Sequence, residues 1–204
     1  MSTPTHLPEP ETVAARAREV LEILHQWPGF ERLWKATRMY PDCWGTFTGY
    51  PTIAQFDLEQ DAGPLLNEAL KTMALKTAVF ELTGGDETAA ELVIPAPVDE
   101  MIHALLAQHN LARRFETETG LHLVHMTDRE RFGWERGDYT HRCYLAAWGE
   151  VPERYWIDNA ETARRHRILG RRLASIGIQD LGRRHTLTFA DEPEEQRDAE
   201  PVPA

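Results

Sequence analysis

A chain of 204 residues with 42% hydrophobic and 27% charged residues has the size of one domain and enough apolar material to bury a core without staples. Its two cysteines, Cys43 and Cys143, exclude a disulfide scaffold or a four-cysteine zinc site and suit a reducing cytoplasm, and Met1–His6 contain no basic or apolar leader region. The longest apolar run falls far short of the roughly 20 residues that cross a bilayer, and a formal net charge of −11 argues against nucleic acid as a partner.

The Pro-rich ends, residues 1–9 and 190–204, lack apolar periodicity and are expected to be disordered around a single helical domain at 10–189. Pro10 opens a helix with Val13, Ala17, Val20, Leu21 and Leu24 at helical spacing as far as Pro28, and Phe30, Leu33 and Trp34 mark a short second one. Tyr40–Gly45 reads as irregular, with Trp44, Phe47 and Tyr50 packing the loop down. Pro64 is placed at the start of a long core helix that closes at Gly84–Gly85. A helix over about 97–118 follows, buried through Val98, Met101, Leu105, Ala112 and Phe115, with His109 on its apolar side and Gly120 beyond its end. Leu121–His125 suggests a short strand, Asp138 caps a helix ending near Gly149, and Pro152 starts a turn through Trp156. Asp158 and Glu161 have the spacing of a capping box for a last helix that ends at Gly177, and His185–Phe189 alternates as a strand that would pair with the earlier one. These elements predict a mainly α fold: a compact bundle of five to six helices with at most a small two-stranded β element.

Several short motifs occur in a fixed order. They are Val98, Asp99 and His103 on one helix, Gly120 and His125 after it, then Tyr144, Gly149, Pro152 and Trp156. This order, over about residues 65–156, resembles the glycine-rich domain-containing proteins, in particular the uncharacterised bacterial members that lack the glycine-rich region. Ile102, Leu105, Val124 and Thr127 depart from the family pattern, which has Trp, His, His and Pro there, and the 13 glycines are scattered. The resemblance implies a fold and little about activity.

Asp99 and His103 are four apart on a helix, so their side chains share one face, read as roughly opposite the Val98–Met101–Leu105 stripe. On a strand His122 and His125 point to opposite faces, so only one can join them, and the resemblance selects His125. Asp99, His103 and His125 would form a two-histidine, one-carboxylate site suited to iron(II) or zinc. The plainer reading of the same residues is a structural hydrogen-bond network.

Charge supplies the other signal. Residues 191–200 hold six acids (Asp191, Glu192, Glu194, Glu195, Asp198, Glu200) against Arg197, while Arg164, Arg165, Arg167, Arg171 and Arg172 crowd the last helix. That helix reads as amphipathic with a solvated basic face, and Arg164, Arg165, Arg171 and Arg172 are the candidates for phosphate or nucleic-acid binding, with the acidic tail able to neutralise them in cis. No phosphate loop, dinucleotide fingerprint, nucleophile elbow or His-Glu-x-x-His motif is present. The leading expectation is a cytoplasmic binding or accessory domain without its own catalytic activity, whose partner is another protein. A metal-dependent enzyme using Asp99, His103 and His125, and nucleic-acid or phosphate binding by the arginine helix, are the alternatives.

Overall fold

The protein is described here by a computed structural model covering residues 6–39, 50–126, 133–182 and 184–186. Within these residues it is helical: α1 (Pro10–Gln26), α2 (Phe30–Arg38), α3 (Leu58–Leu82), α4 (Glu87–Ala90), α5 (Ala96–Leu106), α6 (His109–Thr119), α7 (Tyr139–Trp148) and α8 (Asn159–Ala174). One antiparallel pair, β1 (Ile178–Gln179) with β2 (Arg184–His185), completes it, with Ile178 opposite His185. None of these helices is long and apolar enough to cross a membrane.

The helix count exceeds the expected five to six for two local reasons. The segment 97–118 is two helices, because Gln108 leaves the helical region at φ −79°, ψ 46° and restarts the chain as the N-cap of α6. His109 thereby becomes an exposed first-turn residue rather than an apolar-face one. In addition, Asp86 accepts a hydrogen bond from Ala89 N and supports the one-turn α4, which the apolar pattern did not mark.

α3 forms the centre, packing against α1, α2, α4, α5 and α7. It starts at Leu58, not Pro64: Asp57 caps it by accepting from Gln60 N, and Pro64 sits inside the helix. Leu65, Leu66, Leu70, Met73 and Leu75 are sealed from solvent, each contributing about 1.5–3 kcal/mol by burial. The same helix buries Asp61, Glu68, Thr72, Lys76 and Thr77. α1 and α7 pack on each other and α1 on α3, and Tyr139 of α7 donates to the Pro8 carbonyl while Leu7 packs on the core.

Asp138 and Asp158 cap α7 and α8 through His141 N and Glu161 N, as their spacing predicts. The Glu161 side chain turns instead to Arg164 and Arg165, so the capping box is half made. Leu121–His125 has no regular secondary structure and joins no ladder, and β2 pairs with β1 rather than with this segment. Gly177, at φ +81°, lies between α8 and β1. Trp44 and Phe47, like residues 187–204, lie outside the described residues.

Candidate metal centre

α5 starts at a proline-rich turn, Pro95–Ala96–Pro97, whose fixed φ values suit a first helical turn. Almost the whole helix is buried, through Val98, Met101, Ile102, Ala104 and Leu105, and Asp99 is buried with them at 3% exposure. Asp99 therefore does not sit on an outer face opposite the apolar stripe; it faces a second layer of chain. His103, one turn later, keeps 26% of its side chain exposed.

That second layer is the segment after α6. Gly120 ends α6 at φ +72°, a conformation that glycine adopts without strain, and sends the chain back past α3 and α5. Side chains rather than a sheet hold the returning backbone. Thr77 Oγ1 donates to the His122 carbonyl at 2.6 Å, Leu123 N donates to Glu116 Oε1 at 2.9 Å, and Met126 N donates to Glu91 Oε2 at 2.9 Å. His122 is exposed, its ring edge-on to Phe80. His125 is the histidine that turns inward, with its side chain fully buried.

The three residues meet. One ligand atom each from Asp99, His103 and His125 lie within 4.8 Å of one another. His103 Nε2 is 3.8 Å from Asp99 Oδ2, His125 Nε2 is 3.9 Å from Asp99 Oδ1, and the two imidazole centroids are 4.9 Å apart. Separations near 3.9 Å are too long for hydrogen bonds. The buried Nε2 of His125 has no hydrogen-bond partner among the described residues.

The opposite nitrogen of that ring is engaged. Lys76 Nζ, fully buried on α3, is 3.0 Å from His125 Nδ1 and 2.6 Å from Glu91 Oε1, with Glu91 itself 2% exposed. An ammonium has only protons to give, so Nδ1 accepts and the neutral ring keeps its proton on Nε2, facing Asp99. Burial, with the Lys76 charge and then His103 adding to it, pushes the His125 imidazole down to about 3. The ring is neutral at physiological pH.

Two more buried carboxylates on α3 are tied in the same way. Glu68 Oε2 accepts from Tyr144 Oη at 2.7 Å and Trp156 Nε1 at 2.8 Å, while Lys71 Nζ reaches Glu68 Oε1 at 2.8 Å. Burial and the neighbouring Glu68 raise the Tyr144 phenol well above its usual range. Asp61 takes a two-pronged bond from Arg154 (2.6 and 2.7 Å) and one from Tyr155 Oη at 2.8 Å, and the guanidinium holds the carboxyl down to about 2. Sequence reading singled out Tyr144 and Trp156 but not the Glu68 they share.

Arg164, Arg165, Arg171 and Arg172 lie on α8, away from this cluster. Arg164 and Arg165 both pair with Glu161, and Arg165 Nη1 donates to the Thr52 carbonyl at 2.5 Å. Arg171 and Arg172 are exposed. Cys143 is a buried free thiol, pushed up to about 12 by burial, which makes it inert as a nucleophile.

Comparison with family models, curated proteins and solved structures found no match. Lys76 and Glu91 are the site residues that sequence reading missed. The available signal was a lysine flanked by the apolar Met73, Ala74, Leu75, Ala78 and Val79, at spacing four from Thr72 and eight from Glu68.

Proposed function

We propose that this chain binds one divalent transition-metal ion, zinc or iron(II), through Asp99, His103 and His125. The observation that carries the reading is the gathering of three ligand atoms within 4.8 Å, one of them the buried His125 Nε2 without a hydrogen-bond partner among the described residues. Three points no farther apart than 4.8 Å share a centre within roughly 2.8 Å of each, and coordination lengths are about 2.0–2.2 Å, so side-chain shifts of well under 1 Å suffice. Two imidazoles and a carboxylate leave further coordination positions for water or substrate. His103, a quarter exposed, supplies the solvent side. In a binding or accessory domain such an ion would brace the α5 layer; in an enzyme it would polarise a bound group at the open positions. Kinship with the glycine-rich domain-containing proteins is part of the same proposal. It is supported by the gathering of the motif residues at two buried places, around His125 and around Glu68.

One observation favours a second reading, a metal-free network. A metal-bound imidazole ordinarily donates its remote N–H to a carboxylate or carbonyl. His125 Nδ1 faces the Lys76 ammonium instead, so metal uptake must expel the Nε2 proton. Elemental analysis of tag-free protein, isolated anaerobically and offered zinc or iron(II), separates the two. Near-stoichiometric metal that disappears in His103→Ala supports the metal site. Background metal in the unaltered chain overturns it and leaves the network.

A further inference from the structure

None of the sixteen residues of α8 is buried. The helix touches the turn at Tyr50–Thr52, β1 and the turn at Asp180–Gly182, its Thr162, Ala163 and His166 line a pocket with Pro95, Ala96 and Trp134, and Arg164, Arg167, Arg171 and Arg172 are exposed. Arg164, Arg167 and Arg171 recur at spacings of three and four and so form one stripe, with Arg172 and Arg165 flanking it. Glu161 is the single acid of the helix and is shared by Arg164 and Arg165. Arg167, Arg171 and Arg172 are exposed.

We infer that residues 190–200 of the same chain dock on this stripe. The charges are complementary: Asp191, Glu192, Glu194, Glu195, Asp198 and Glu200 against Arg197 meet five arginines against Glu161. The starting point fits as well. Thr186 N donates to the Gly177 carbonyl at 2.9 Å, which anchors the chain at the C-terminal end of α8 just before the acidic run begins. The reach is ample: a helix of 16 residues is roughly 24 Å long, and the 14 residues from Leu187 to Glu200 extend up to roughly 46 Å. Exposed ion pairs are individually weak and screened by salt, so the contact is reversible and belongs to low ionic strength. Its consequence is that the basic face is covered in cis, and an anionic partner must displace the tail to reach it.

The test uses the full chain. Lysines placed by Arg167→Lys and Arg171→Lys keep the charge and accept zero-length carbodiimide crosslinks from carboxylates in contact. At about 25 mM salt, crosslinked peptides should join positions 167 or 171 to residues 191–200 within one chain, and about 500 mM salt should abolish them. In parallel, amide NMR shifts of residues 190–200 should differ between the unaltered chain and Arg167→Glu/Arg171→Glu/Arg172→Glu at low salt and converge at high salt. These arginines are exposed, so the variant folds, and unchanged core amides verify it. Absent crosslinks at low salt, or tail shifts identical in the two chains, overturn the proposal.

Discussion

Replacing Lys76 by methionine keeps the buried stem and deletes the charge. Lys76 is fully buried and its ammonium bridges Glu91 Oε1 at 2.6 Å and His125 Nδ1 at 3.0 Å. Without it, Glu91 remains 2% exposed and keeps the bond from Met126 N at 2.9 Å. Breaking a buried pair in this way costs about 3–5 kcal/mol, because a carboxylate is left uncompensated in a medium that solvates it poorly. The transfer term nearly cancels, since methionine buries a stem of similar length. Lys76→Met/Glu91→Leu removes both charges and leaves Met126 N without its acceptor, so its cost should drop below about 3 kcal/mol, the upper range for one unsatisfied buried donor. Urea unfolding at neutral pH, followed by tryptophan fluorescence and compared at a shared slope, measures both. A Lys76→Met loss under about 1 kcal/mol, or a double variant less stable than the single one, would refute this account of the ion pair.

The buried imidazole gives a pH prediction. His125 has a folded value near 3, below its ordinary 6.5, so the unfolded chain binds a proton through that window that the folded chain does not; stability is complete above 6.5 and falls as pH drops toward 3, by at most about 5 kcal/mol. Asp61, held at about 2 instead of 3.8, extends the loss to lower pH with the same sign, and a stability profile flat from pH 6.5 to 4 would contradict the assignment. Tyr144→Phe deletes a hydroxyl that donates to Glu68 at 2.7 Å and contacts Lys71 Nζ at 2.8 Å, and should lower the unfolding free energy by about 1–2 kcal/mol because Trp156 and Lys71 still serve Glu68. Equal stability of Tyr144→Phe and the unaltered chain in denaturant titration would remove Glu68 from the ties that hold α7.

What could be read from sequence was what local chemistry encodes. Asp138 and Asp158 announce α7 and α8 because a cap oxygen and the amides it serves lie within three residues. The start of α3 was misplaced for a related reason. Proline is favoured at a first helical position, and Asp57, the cap in use, lies seven residues before Pro64. The break between α5 and α6 carries no glycine or proline. Ala107 is still helical at φ −59°, ψ −20°, and the departure at Gln108 has no short-range marker. The β pairing was missed because two residues per strand leave no alternation to detect, and proximity of β1 and β2 follows from the turn at Asp180–Gly182.

The candidate site divides along the same line. Asp99 and His103 are a local pair and could be named from spacing, whereas the buried partners of His125 come from α3 and from the stretch after α4. Asp61, Glu68, Thr72 and Lys76, at spacings of seven, four and four, lie on one side of α3, and a polar stripe on a helix ordinarily marks its solvent face. Here it is buried, and each charge on it fixes a later part of the chain. Asp61 holds Arg154 and Tyr155, Glu68 holds Tyr144 and Trp156, and Lys76 holds Glu91 and His125. Buried ionic ties add little net stability but penalise any register that leaves one unpaired. Lys76 is thus one of the ties that place His125. The ring lies beside Asp99 and His103 in that arrangement, and the proposed metal site turns on whether an incoming cation can take the Nε2 proton's place.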